Sequence, residues 1–169
     1  MFSKIDLQSG YWQMPVKPKD VYKTVFKMRW RLYEFLVMHF GIINAPAQFM
    51  NMMNDLLGEY LDKFVLVFLE NILIYSANQQ DHEEHLRKVL GKLKEHQLFA
   101  KANKCEILKT SIEFLVEQIY RGGMTPTEAK LKAVRDWATP QDIKGVRSFL
   151  GFANYYRHFV KNFVAIADP

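Results

Sequence analysis

The stretch from Lys63 to Ser76 reads Lys-Phe-Val-Leu-Val-Phe-Leu-Glu-Asn-Ile-Leu-Ile-Tyr-Ser. Two apolar runs, residues 64–69 and 72–75, are rich in Val, Ile, Phe and Tyr, and only Glu70 and Asn71 separate them. Short β-branched and aromatic runs around a two-residue polar break predict a β-hairpin. Asn71 tolerates the positive φ that such a turn demands, whereas Glu70 has no turn merit of its own. A carboxylate at the tip of a greasy hairpin is either ordinary solvent-facing polarity or a functional group, and this stretch alone leaves both open.

The rest of the chain supplies a partner for that hairpin. Residues 2–7 resemble a short strand that carries an acid, Asp6, followed by a Ser9-Gly10 break and the pair Tyr11-Trp12. Residues 23–28 and 33–38 read as two further strands joined by a turn at 29–32. Asn44-Ala45-Pro46 opens a helix in which Phe49, Met52, Met53, Leu56, Leu57 and Tyr60 recur at helical spacing. The methionines there read as core filler. A second helix runs from about residue 82 to Gln97, with Leu86, Val89, Leu90 and Leu93 as its buried stripe. His82 and His85 have metal-like spacing but no third ligand, and read as part of a solvated helix start.

Beyond the second helix, residues 98–108 hold one strand and 112–120 another, and Gly122-Gly123 makes a turn. Thr125-Pro126-Thr127-Glu128 is a capping box opening a helix to Trp137. A last helix over about residues 141–162 buries Val146, Phe149, Leu150, Ala153, Phe159 and Phe163. Its rim carries Arg147, Tyr155, Arg157, His158 and Lys161, an aromatic–basic mixture able to follow a phosphate backbone or simply to keep the helix wet.

Composition narrows the classes. The chain has 169 residues, 49% of them hydrophobic, enough for a core and too many for disorder. Its single cysteine, Cys105, excludes an internal disulfide and a Cys-rich zinc module, and no apolar run reaches membrane-spanning length. A reduced, intracellular protein, cytoplasmic or nuclear, with no membrane partner is the expectation. Residues 1–31 carry seven Lys/Arg against two acids, residues 32–100 five against nine, and residues 101–169 eleven against seven. Basic ends around an acidic middle are compatible with gripping a polyanion.

These landmarks together resemble the reverse transcriptase of gypsy-type LTR retrotransposon Pol polyproteins, from the first catalytic strand of the palm into the thumb-like connecting region. The resemblance rests on Phe2-Ser-Lys-Ile-Asp-Leu-Gln-Ser-Gly-Tyr11, Tyr33-Glu-Phe-Leu-Val-Met38, Phe40-Gly41, Asn44-Ala-Pro-Ala47, Ile72-Leu-Ile74, Phe114-Leu115 and Arg147-Ser-Phe-Leu-Gly-Phe-Ala-Asn-Tyr-Tyr-Arg157. They stand in family order over nearly the whole chain. The fold it implies is α+β: a partial polymerase palm, mostly antiparallel sheet with packed helices, over residues 1–124, lacking the fingers segment, then a helical thumb-like region over 125–169.

The family's chemistry is phosphoryl transfer with two divalent ions held by carboxylates. By resemblance, Asp6 is the first of these acids. Tyr11 matches the ring beneath the incoming sugar, and Phe40 and Gly41 match neighbours of the nucleotide pocket. The family's adjacent Asp pair at the hairpin tip is Glu70-Asn71 here, so Asp6 and Glu70 remain as weak Mg²⁺ ligands and the catalytic set Asp6, Glu70, Asn71 is degenerate. Val116 and Glu117 stand where the family has a glycine and a histidine, His39 replaces a proline, and Arg31 a turn glycine. The resulting expectation is a catalytically inactive module, requiring no cofactor, that still binds RNA, DNA or an RNA–DNA hybrid through Arg147, Tyr155, Arg157 and Lys161. A protein-interaction module docking a polymerase by mimicry, and a polymerase with residual Mg²⁺-dependent activity, are the two alternatives.

Overall fold

A computed structural model describes residues 1–167. The chain forms two compact units, Met1–Thr110 and Ser111–Pro169, so the three strands after Thr110 belong with the helical end rather than with the palm-like sheet. The sequence-based division at 124/125 lies further along. The last two residues of that expected C-terminal region, 168–169, are outside the described residues.

The first unit begins with β1 (Phe2–Asp6), whose Ser3 and Ile5 are buried, in the alternation of a strand with one face on a core. Two short 3₁₀ turns follow, Gly10–Gln13 and Pro18–Thr24. The next two strands, β2 (Phe26–Lys27) and β3 (Leu32–Tyr33), are much shorter than the sequence suggested. Helix α1 (Ala45–Leu57) starts at Asn44 with Pro46 in its first turn and buries Phe49, Met53, Leu56 and Leu57, as its periodicity predicts. Strands β4 (Val65–Phe68) and β5 (Asn71–Tyr75) form the expected hairpin.

Helix α2 (Gln79–Glu95) is capped by Asn78, whose Oδ1 accepts the Asp81 N–H at 2.9 Å. Strand β6 (Glu106–Lys109) closes an antiparallel sheet in the order β4-β5-β1-β6. Ile5, Val65, Ile72 and Ile74 from the sheet join Phe49, Met53 and Leu57 of α1 and Val89 and Leu93 of α2 in one core. Burial of each such side chain stabilises by about 1.5–3 kcal/mol, which holds the strand ends in place. Leu90, expected in that stripe, is exposed.

The hairpin turn differs from the sequence reading by one residue. Asn71 pairs with Phe68, so the turn is Leu69-Glu70, and Leu69 rather than Asn71 takes the positive φ, 52°. The β1–β5 ladder imposes this register. It pairs Phe2 with Tyr75 through to Asp6 with Asn71, and a one-residue slip would turn Ile72 and Ile74 off the core face.

His82 is not solvated either. It is fully buried, with Nε2 2.7 Å from the Ser3 hydroxyl and Nδ1 2.9 Å from that of Ser76. Ser3 Oγ also accepts the Leu108 N–H, and His85 lies flat on Phe64 with ring centroids 3.7 Å apart. Desolvation, helped by the N-terminal ammonium and by His85, pushes the His82 pKa below its ordinary 6.5.

The second unit opens with a three-stranded antiparallel sheet, β7 (Ser111–Phe114), β8 (Glu117–Tyr120) and β9 (Gly123–Pro126). The single strand expected over 112–120 is thus a hairpin, turned at Leu115 and Val116 with φ of 51° and 68°. Helix α3 (Glu128–Arg135) starts at Thr127, not Thr125, because Thr125 is held in β9 opposite Gln118.

The expected long last helix is three pieces: α4 (Ile143–Tyr155), a 3₁₀ turn at Arg157–Phe159, and α5 (Phe163–Ala167). Asp142 caps α4, its Oδ1 accepting the Gly145 N–H at 2.6 Å. Phe152 stacks on Trp137 at 5.0 Å and meets the edge of buried Tyr156 at 5.5 Å. Val146 and Phe159, expected inside, are exposed.

Candidate active-site remnant and nucleic-acid interface

Asp6 is the last residue of β1 and the cross-strand partner of Asn71, the first of β5. Beyond that pair the Leu7 N–H donates to the Glu70 carbonyl at 2.9 Å, and the Lys101 N–H donates to the Asp6 carbonyl at 2.8 Å. Register and backbone bonds therefore bring Asp6, Glu70 and Asn71 together at one end of the sheet's strands. The Asp6 carboxylate is 18% exposed and 4.0 Å from Lys104 Nζ, while Cys105 Sγ lies 3.5 Å from its backbone nitrogen.

Glu70 turns inward. A Cβ on Gly10 would stand 3.0 Å from Glu70 Cγ and 2.8 Å from Phe49 Cζ, so the missing side chain at Gly10 makes room for both. Oxygen Oε1 of Glu70 is buried and has no hydrogen-bond partner. Desolvating a carboxylate oxygen without a donor is costly, so this oxygen invites a ligand or a water. Leu69, at positive φ, points its N–H at Met50 Sδ 3.0 Å away.

Tyr11 is buried, its ring edge-on to Phe40 at 5.2 Å and to Phe49 at 5.4 Å. Phe40 is exposed, and Gly41 adopts φ 97°, a backbone state open mainly to glycine. Of the three pocket residues named from the sequence, Tyr11 thus bridges Phe40 and Phe49, and Gly41 follows Phe40 in the chain. Gly10, Phe49, Met50, Lys104 and Cys105 were not named. Only the Ser9-Gly10 break hinted at one of them, since the others reach the site through packing.

In the second unit Arg147, Tyr155, Arg157 and Lys161 are all exposed. They do not share one helix, because α4 ends at Tyr155 and Tyr156 folds inward. Arg157 sits in the 3₁₀ turn and Lys161 in the turn after it.

Hard cations want oxygen ligands, and a two-ion site needs several carboxylates shared between the ions. Asp6, Glu70 and the neutral amide of Asn71 fit one such ion at most. Among the described residues no group of three or more His, Cys, Asp or Glu side chains could hold a metal. The residues present therefore do not fit a pair of catalytic ions. Among the described residues, too, no helix is long and apolar enough to cross a membrane.

An antiparallel sheet backed by two helices, with an acid at one strand end beside a hairpin tip, is the architecture of a polymerase palm. Residues 1–119 match the family model "Reverse transcriptase (RNA-dependent DNA polymerase)", and the chain belongs to that family. It is 37% identical over 168 residues to the retrovirus-related Pol polyprotein from transposon 297 of Drosophila melanogaster, which covers 99% of this chain and 16% of that protein. It is 35% identical over 169 residues to the transposon Tf2-7 polyprotein of Schizosaccharomyces pombe, of which it spans 13%. The foamy viral protease-reverse transcriptase superposes on 99% of this chain in complex with double-stranded DNA (TM-score 0.86, 27% identity, 29% of that chain). The same enzyme in complex with an RNA/DNA hybrid does so too (TM-score 0.80, 27% identity, 23% of that chain).

Proposed function

We propose that this chain is a gypsy-type, retrotransposon-derived reverse-transcriptase region that holds RNA, DNA or an RNA–DNA hybrid without extending it. The hairpin tip carries the reading: Asn71, uncharged, sits opposite Asp6, and Glu70 turns its carboxylate toward Gly10. In-line phosphoryl transfer tolerates little displacement of its ions, and misplacement of about 1 Å costs on the order of 10²-fold. Loss of a formal charge facing a dication adds to that cost.

Binding does not depend on those carboxylates. The solved relatives that superpose on the chain hold double-stranded DNA and an RNA/DNA hybrid. Here Arg147, Arg157 and Lys161 are exposed cations with Tyr155, 62% exposed, among them. Three phosphate contacts of this kind release counterions and make affinity fall steeply with salt.

Fluorescence anisotropy of a labelled RNA–DNA hybrid at two salt concentrations, with and without Mg²⁺, tests the reading. The expected result is binding that weakens with salt, ignores Mg²⁺ and is lost in Arg147→Glu/Arg157→Glu. Salt-indifferent binding, or equal affinity in that double variant, overturns it.

A further inference from the structure

Residues 12–40 hold a second concentration of rings and cations that the reading above does not use. Tyr33 and Phe26 are cross-strand partners in the β2–β3 hairpin, so their rings share a face and stack at 5.8 Å and 26°. Phe26 stacks in turn on Phe35 at 4.8 Å and 26°, and Phe35 meets His39 tilted at 36° with centroids 4.0 Å apart. The hairpin is closed by the Met28 N–H donating to the Arg31 carbonyl at 2.9 Å, which leaves Arg29 and Trp30 at its tip. Arg29 lies 4.7 Å from the centre of the Trp30 ring, which is 81% exposed.

These rings are no core. Phe26 and Tyr33 are exposed as well as Trp30, and none of the three belongs to the buried cluster of the unit. Residues 12–40 carry Lys17, Lys19, Lys23, Lys27, Arg29 and Arg31, all exposed, against Asp20 and Glu34 alone. Among the described residues only Lys23 of these cations makes an ion pair, with Asp20 at 2.6 Å.

Phe26 and Phe35 are covered within the stack, but Tyr33 at its end and Trp30 at the hairpin tip stand exposed amid cations that mostly make no ion pair. Exposed rings and cations match one ligand chemistry closely: unstacked bases joined by phosphates. A duplex offers the charge but keeps its base faces covered, and an acidic peptide offers charge but no rings to stack. We propose that Tyr33, braced from beneath by Phe26 and Phe35, and the Trp30 tip form a stacking platform for a single-stranded RNA or DNA segment, with Lys27, Arg29 and Arg31 along its phosphates. This rests on the reading that the chain binds nucleic acid, but not on its inability to polymerise.

The test titrates the full chain with a labelled single-stranded oligothymidylate, its RNA counterpart and a blunt RNA–DNA hybrid. Trp30→Ala/Tyr33→Ala removes two exposed rings and leaves the core untouched. It is expected to weaken single-strand binding about tenfold or more while the blunt hybrid changes less than about twofold. Arg29→Gln/Arg31→Gln is expected to reduce the salt slope for the single strand by about 1.4. Tryptophan fluorescence is expected to quench on adding the single strand, and to quench less in Trp30→Phe.

Unchanged single-strand affinity in Trp30→Ala/Tyr33→Ala, with hybrid binding intact, overturns the platform and leaves the binding reading standing. Wild-type protein that binds neither ligand overturns both. Self-association in sedimentation that Trp30→Ala abolishes, without oligonucleotide binding, overturns the platform in favour of a contact between copies.

Discussion

Replacing Gly10 by alanine puts a methyl carbon 2.8 Å from Phe49 Cζ and 3.0 Å from Glu70 Cγ. The glutamate can swing its chain away. Phe49 cannot, because it is fully buried in the core between α1 and the sheet. Overpacking of this kind costs about 1–3 kcal/mol. Alanine offsets about 0.4–1 kcal/mol of that by restricting the unfolded chain, since Gly10 does not lie in the left-handed region. The net loss is about 1–2 kcal/mol, a fall in Tm of roughly 5–10 °C for a unit of this size. Urea melts followed by circular dichroism read it directly. Adding Phe49→Leu removes the clashing ring, so the double variant is expected to lose about 1 kcal/mol less than the two single losses together. Gly151→Ala, in α4 with nothing within 4 Å of the new carbon, is the control and is expected to be neutral or slightly stabilising. A Gly10→Ala variant as stable as wild type would refute the close approach of Gly10 to Phe49.

Val116 is a β-branched residue at φ 68°, a conformation that costs about 1–3 kcal/mol; Val116→Gly is expected to gain about 0.5–1 kcal/mol after glycine's extra chain entropy, and a loss in urea melts would contradict the turn geometry. Because burial lowers the His82 pKa, the unfolded chain takes up its proton first as pH falls. Stability is therefore expected to be full above about pH 6.5 and to drop from there down to the lowered folded value, at no more than about 1.4 kcal/mol per pH unit from this residue. His82→Gln should flatten that part of a Tm-against-pH curve, and an unchanged slope would place the acid sensitivity elsewhere. Tyr156→Ala is expected to cost about 3 kcal/mol or more, as the buried ring beneath Phe152 and Tyr155 is lost; a variant melting like wild type would contradict the aromatic cluster of the second unit.

The first two helices were the most legible part of this fold, whereas the last expected helix proved to be three pieces. Asn44 ahead of Pro46, and Phe49, Met53 and Leu57 at helical spacing, are local signals, and α1 obeys them. The β4–β5 hairpin was legible as an element but not in register. Asparagine is the better residue for positive φ, yet the five-pair ladder with β1 outweighs that preference and puts Leu69 there instead. His82 looked wet because its sequence neighbours are polar; its actual partners are Ser3 in β1 and Ser76 just after β5, both outside its own helix. At Leu115-Val116 neither residue announces a turn, and only the resemblance, by placing a glycine at 116, carried the signal. The site divides in the same way. The acid at the end of β1 and the hairpin were readable from the sequence, and their grouping as a site was implied only by the resemblance. The inward turn of Glu70, by contrast, depends on the void at Gly10, which exists only once Phe49 is packed.

Grip and chemistry come apart in this chain if it holds a primer-template without extending it, and one reaction reads both. A 5′-labelled DNA primer annealed to an RNA template is incubated with the chain, Mg²⁺ and all four deoxynucleotides, then divided between a native and a denaturing gel. A salt-sensitive shift on the native gel and a primer of unchanged length on the denaturing one are expected. A primer lengthened by wild-type protein and left unextended by Asp6→Ala would contradict that separation.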